Sequence, residues 1–161
     1  MIENGIDIKR EVSVSKVEKQ LLESIKSMYM GQIIENDRNV IAPLEIDILL
    51  PDLKVGIEVC GLYWHSERFK DRDYHVDKML MCEEKGYRLI TIFEDELMFN
   101  FDKVISKLKS ILGLNTNSIY ARKCTIVQLS TTEAREFFET NHIQGYVNAS
   151  IRFGLKFGAV S

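Results

Sequence analysis

Pro43-Leu44-Glu45-Ile46-Asp47-Ile48-Leu49-Leu50-Pro51 and, after three residues, Val55-Gly56-Ile57-Glu58-Val59-Cys60-Gly61-Leu62-Tyr63-Trp64-His65 decide the fold. The first run alternates apolar and acidic residues from Leu44 to Leu50 and reads as a strand. Pro51-Asp52 closes it with turn chemistry, and Lys54 to Cys60 reads as the next strand, a hairpin across Pro51-Asp52-Leu53. Gly61 permits unusual backbone geometry. A third run, Arg88-Leu89-Ile90-Thr91-Ile92-Phe93, reads as a buried strand and is followed by Glu94-Asp95-Glu96. Acidic and histidine side chains stand in and just after these strands, where hydrophobic patterning alone would put none. That misfit is the functional signal.

Upstream, residues 1–14 show no sustained period and read as an arm. Ser15-Lys16-Val17-Glu18 has the form of a capping box, with Ser15 as N-cap. Val17, Leu21, Leu22, Ile25 and Met28 then recur at helical spacing, so a helix is expected from Lys16 to Met30, stopped by Gly31. Glu35 to Asn39 reads as a polar turn and Val40-Ile41-Ala42 as an extended lead-in. Between the second and third strands, Ser66 to Asp73 is a charged loop. Tyr74 to Lys85 is a helix with Val76, Met79, Leu80 and Cys82 inward, ended at Gly86.

Downstream, Phe99 to Leu112 is a further helix, with Phe101, Val104, Ile105, Leu108, Ile111 and Leu112 on its apolar face. Hairpin, helix, parallel return strand and helix together make an α/β fold around a small mixed sheet. Residues 113–118 have a linker's composition. Beyond them, Ile119 to Leu129 reads as a strand, Thr131 to Asn141 as a capped helix and Ile151 to Phe157 as a strand. These 119–161 residues read as the opening of a second domain, cut short because so few residues make a thin core.

The 161 residues are enough for one full domain. Apolar content of 45% and charged content of 28% are ordinary for a soluble globular protein. No apolar run approaches the roughly 18 residues of a membrane span, and the charged N-terminus lacks the apolar stretch of a secretory signal. Cys60, Cys82 and Cys124 form an odd set without C-x-x-C spacing, against a disulfide frame or zinc ribbon and in keeping with a reducing, cytoplasmic setting. The net charge of −3 neither announces nor excludes a nucleic-acid partner, because binding requires a local basic face, not a basic total.

Asp47 and Glu58 lie on partner strands of a tight hairpin, so their carboxylates can converge at one end of the sheet. Two such groups with a backbone carbonyl, that of Val59, suit a hard cation such as Mg²⁺, which can polarise a phosphodiester and generate hydroxide. The plain alternative is a strand with its polar face outward. His65 follows Trp64 at the mouth of this arrangement and can move a proton near neutral pH; the alternative is a structural histidine. Trp64 can stack on a base or wedge a helix against the sheet. Lys78 lies one turn from His75 and can meet a phosphate or remain an exposed lysine. Glu18 is already explained by its capping box, Glu23 by a solvated helix face, and Asp73 and Asp77 by surface charge. Glu94-Asp95-Glu96 can reach the site or cap the next helix.

Ile57 to His65, with Glu45-Ile46-Asp47 before it and Gly86 to Glu94 after it, resembles the very-short-patch-repair endonuclease fold. It is most similar to the phage-type homing endonucleases built on that fold, a branch of the PD-(D/E)XK nucleases. The resemblance covers residues 15–112 and implies a restriction-endonuclease-like core, a nuclease domain that cleaves double-stranded DNA with Mg²⁺ or Mn²⁺. It implies Asp47 as principal metal ligand, Glu58 and the Val59 carbonyl as companions, and His65 as general acid/base. It also raises Glu18, which matches an acidic residue of the family's first helix. Two departures stand out. His75 stands where the family has an aspartate, with Asp73 and Asp77 nearby, and Cys60 stands where the wider superfamily has lysine, a cation that Lys78 could supply. The catalytic candidates are therefore Glu18, Asp47, Glu58, His65, His75 and Lys78.

The expectation is a DNA endonuclease of homing or nicking type in a bacterial or phage-infected cell, working as a homodimer if both strands are cut. The alternative is a nuclease-fold module that binds DNA without cutting it. A weaker third is a protein whose main activity lies in its C-terminal part, the nuclease-like domain serving as targeting. Apart from these alternatives, segment 119–161 reads most simply as a substrate-binding or DNA-contacting extension, which Arg122 and Lys123 would serve.

Overall fold

The computed structural model describes the backbone of residues 7–61 and 71–158, and the side chains of residues 16–61 and 74–158. Leu62 to Lys70, and with them Trp64 and His65, lie outside the described residues. The chain divides into two compact units, Met1–Phe101 and Asp102–Ser161.

The first unit is α/β. Helix α1 (Asp7–Met28) precedes β1 (Ile34–Asp37), β2 (Ile46–Leu50) and β3 (Val55–Cys60). Helix α2 (Asp71–Glu84), strand β4 (Arg88–Phe93) and helix α3 (Glu94–Ile111) follow. The sheet order is β1-β2-β3-β4, antiparallel between the first three strands and parallel between β3 and β4. The parallel pair is the expected consequence of a helix between two strands, since antiparallel neighbours need only a turn.

The β2–β3 hairpin forms where the sequence places it. Pro51–Leu53 is one 3₁₀ turn, and Lys54 closes it at φ 54°, ψ 44°, its N–H donating to the Pro51 carbonyl at 3.1 Å. The turn is anchored from outside: Asp52 Oδ2 accepts from the Tyr29 hydroxyl at 3.1 Å and from the Gln32 N–H at 2.9 Å. These bonds fasten the segment just after α1 to the hairpin. In the core, Ile41, Ile46, Leu49 and Cys82 are buried together, with Ile34, Leu44, Tyr87 and Leu89 packed against them. Gly56 sits in this packing: a Cβ there would meet Ile46 Cγ2 at 3.0 Å and Leu89 Cδ1 at 3.1 Å. Gly56→Ala should therefore cost roughly 1–3 kcal/mol by overpacking, read as a lower urea midpoint with unchanged slope.

Several expectations are corrected. Ser15 is not an N-cap, because α1 starts at Asp7 and runs straight through it; Lys9, Arg10 and Glu11 are good helix formers. Glu35 to Asp37 belongs to an edge strand, β1, whose polar side chains are exposed except for Asp37. Asp37 Oδ2 accepts from the N–H groups of Asn39 and Val40, both at 2.9 Å, and so fixes the turn that follows. Val40 to Ala42 is part of that turn, not an extended lead-in.

Helix α2 begins at Asp71, and its buried face is not the expected one. Val76, Met79 and Leu80 are exposed, whereas Lys78 and Cys82 are buried. Helix α3 begins at Glu94 instead of Phe99 and is broken at Asn100 (φ −138°, ψ 34°), beside the division between the units.

In the second unit the remainder of α3 buries Val104 and Leu108, and Leu112 just after it is buried too. Residues 112–118 are turn and irregular backbone. Ile119 to Lys123 is not strand: Ala121–Lys123 is a 3₁₀ turn, and β5 spans Cys124–Gln128. Strand β5 pairs antiparallel with β6 (Phe153–Phe157). Helix α4 (Thr131–Asn141) has a full capping box: the Glu133 N–H donates to Ser130 Oγ at 3.2 Å and the Ser130 N–H to Glu133 Oε2 at 2.9 Å. Leu129, leading into α4, packs over Gly154. On the other side of this ribbon Ile126, Phe153, Leu155 and Phe157 are all exposed.

Candidate active site

Strand pairing brings two acidic residues together. Ile48 stands opposite Ile57 in the β2–β3 register, so the next step along the two strands brings Asp47 and Glu58 into line. There the regular ladder gives way to a side chain: the Val59 N–H donates to Asp47 Oδ2 at 2.8 Å. Burial raises the Asp47 carboxyl above its usual range, against the lowering effect of the Val59 N–H and of Lys78.

Glu58 is more strongly perturbed. Burial first, and then the charge of Asp47, push it up to about 7, in spite of Lys78. Lys78 Nζ lies 2.5 Å from Glu58 Oε1, and the whole lysine is only 2% exposed. Glu58 Oε2 is buried and, among the described residues, has no hydrogen-bond partner. An anionic oxygen in that position needs a donor, a proton or a cation. The two carboxylates and this orphaned oxygen fit a hard divalent ion, which Asp47 and Glu58 could hold. Among the described residues, no group of three or more His, Cys, Asp and Glu side chains has metal-holding spacing.

The raised Glu58 fixes a pH dependence. Its native pKa of about 7 lies above the ordinary 4.5, so the folded state holds a proton that the unfolded state has released. Stability from this group is therefore present below pH 4.5 and is lost as pH rises through about 7. In EDTA the urea midpoint of the wild type should fall across that window, and Glu58→Gln should lack the decline. An identical profile in both proteins would refute the assignment.

Glu18, on α1, shares a cleft of about 200 Å³ with Leu22, Glu35, Asn36 and Asp47. Its carboxyl is raised by burial and then by the charges of Asp47, Glu45 and Glu35. Glu35 and Glu45, which the sequence did not single out, thus belong to the acidic surroundings of Asp47; each also pairs with a base, Lys26 and Arg38 respectively. Recognising β1 as a strand was the signal that would have placed Glu35.

The other candidates are distributed as follows. His75 is half-buried on α2 and faces Cys60, whose Sγ lies 3.8 and 3.9 Å from its two ring nitrogens. Asp77 is exposed, and the side chain of Asp73 lies outside the described residues. Asp95 and Glu96 serve the start of α3: Asp95 Oδ1 accepts from the Glu96 N–H at 2.9 Å and Glu96 Oε2 from the Phe93 N–H at 3.5 Å. Glu94 is buried at the head of that helix. His65 lies outside the described residues.

The class that fold and site define is an α/β unit with a mixed four-stranded sheet and a half-buried carboxylate pair at the β2–β3 step. No family model and no curated protein matches the chain. Among solved structures, it is similar to one titled "Homing Endonuclease I-Bth0305I Catalytic Domain", with 27% identity over 63% of this chain and 97% of that one, at a TM-score of 0.48. Among the described residues, no helix is long and apolar enough to cross a membrane.

Proposed function

We propose that this chain is a metal-dependent DNA endonuclease that hydrolyses phosphodiester bonds, of homing or nicking type and phage-related. The observation that carries the reading is the Asp47–Glu58 pair, with one buried Glu58 oxygen lacking a partner among the described residues. The Trp64-His65 run, which follows the same hairpin in sequence, and the acidic residue Glu18 on α1 at the cleft of Asp47 support it.

In this reading Asp47 and Glu58 hold Mg²⁺ or Mn²⁺, with the Val59 carbonyl as a third donor. The ion, when bound, supplies Lewis acidity at the phosphate and a more acidic water. Asp47 is preset for the task, because its hydrogen bond from Val59 fixes the carboxylate plane. His65 takes or gives the proton. Lys78 holds Glu58 in place from α2. His75, facing Cys60, is a supporting group and not a ligand.

Charge distribution supports a DNA partner. Met1–Phe101 contains twenty acidic and thirteen basic side chains, Asp102–Ser161 four acidic and eight basic. The basic excess lies entirely in the second unit, with Arg122 and Lys123 beside exposed Tyr120. Such an excess is suited to phosphate contacts.

The test is supercoiled plasmid incubated with the protein across Mg²⁺, Mn²⁺, Ca²⁺ and EDTA. Nicked or linear product in Mg²⁺ or Mn²⁺, and none in EDTA, is expected; intact plasmid in every metal sinks the reading. A second reading is a module that binds DNA without cutting it. It is favoured by Lys78, which already neutralises one Glu58 oxygen. It would show gel-shift binding unaffected by Asp47→Asn, with no turnover.

A further inference from the structure

Lys78 is an unusual residue to find on the inward face of α2. Lysine is almost never fully buried unless paired, yet here it is 2% exposed while Val76, Met79 and Leu80 of the same helix are turned outward. The helix gives up apolar burial to put an ammonium against Glu58 Oε1. The second oxygen of that carboxylate is left buried and, among the described residues, without a hydrogen-bond partner. One oxygen is committed to an internal cation, and the other has no such partner among the described residues.

We infer that Lys78 is a built-in competitor for the divalent ion: it holds the Asp47–Glu58 pair in the metal-free protein and sets how tightly a metal can bind. The inference rests on the proposed metal site and goes beyond it. Asp47 and Glu58, both ionised, present two negative charges to a cation. The ammonium cancels one of them at hydrogen-bond distance from Glu58, in a buried setting where screening by water is weak. Affinity for a hard dication is tuned by the charge of its ligands, so this lysine weakens the site and keeps it intact when empty. A phosphate-holding lysine would behave differently, because its removal would leave the affinity for free metal unchanged.

The test is direct titration of the full chain with Mn²⁺ alone, free ion being counted by electron paramagnetic resonance, with melting temperatures in EDTA and in Mn²⁺. The proteins are wild type, Asp47→Asn, Lys78→Met, Lys78→Gln and Lys78→Arg. Lys78→Met and Lys78→Gln should bind Mn²⁺ about tenfold or more tightly than wild type and gain more in melting temperature on adding it. Lys78→Arg, which keeps the charge, should stay near wild type. If the neutral variants fold only with Mn²⁺, the inference also stands; if Mn²⁺ does not rescue them, it falls. Equal or weaker affinity in the neutral variants, with a wild type whose Mn²⁺ binding needs Asp47, overturns this inference alone. A wild type that binds no Mn²⁺, or binds it equally well as Asp47→Asn, overturns the metal site and the inference together.

Discussion

Asp47→Asn should leave the protein folded and lower plasmid nicking by at least about 10³-fold. The magnitude follows from comparison: residues that only support a metal ligand typically cost 10–100-fold when changed, and Asp47 is proposed as the ligand itself. The fold should survive because the amide oxygen of Asn can still accept the Val59 N–H that Asp47 Oδ2 now accepts at 2.8 Å. Removal of the charge should even relieve Glu58, whose carboxyl is raised in part by Asp47. The check is initial nicking rate beside a urea melt. Nicking within tenfold of wild type would remove Asp47 from the mechanism, whereas loss of activity with loss of fold would say nothing of chemistry; Asp47→Ala, which leaves the Val59 N–H without its acceptor, shows the size of that structural effect.

Lys78→Met should lower metal-free stability at pH 8 by about 3–5 kcal/mol, the usual result of breaking a buried ion pair by removing one partner. The lysine and Glu58 side chains are only 3% and 12% exposed, so water cannot take the place of the missing charge. The double variant with Glu58→Gln should recover most of that loss, because both buried charges are then gone. The double-mutant cycle therefore isolates the pair. At pH 5 the single variant should suffer much less, since a carboxyl already raised to about 7 can take up a proton. A coupling under about 0.5 kcal/mol at pH 8 would show that the pair does not act as one unit.

How much of this was legible in the sequence depended on whether a signal was local. The β2–β3 hairpin was, because Pro51-Asp52 dictates a turn and the flanking runs alternate. Strand β4 matched from Arg88 to Phe93. Two Ser-x-x-Glu patterns show the limit. Ser130 and Glu133 form a capping box because a strand precedes them, whereas Ser15 and Glu18 do not because helix precedes them. The motif is the same, and only the backbone before it decides. Strand β1 was missed because Glu35 and Asn36 have the composition of a turn; an edge position tolerates them. The inward face of α2 was mispredicted for a deeper reason. Hydrophobic periodicity assigns lysine to solvent, and only the position of Glu58 on another element makes burying Lys78 favourable.

The four-residue connection between β2 and β3, Pro51 to Lys54, has a consequence for how such a site tolerates change. Side chains along a strand point alternately to the two sides, so a slip of one residue exchanges the sides completely. One amino acid inserted between Pro51 and Val55 would present Ile57 or Val59 where the second carboxylate belongs and bury the acid among isoleucines. The length of this short connection is thus as decisive as the acids it aligns, and Asp52, clasped by Tyr29 and Gln32, acts as the latch that keeps the phase.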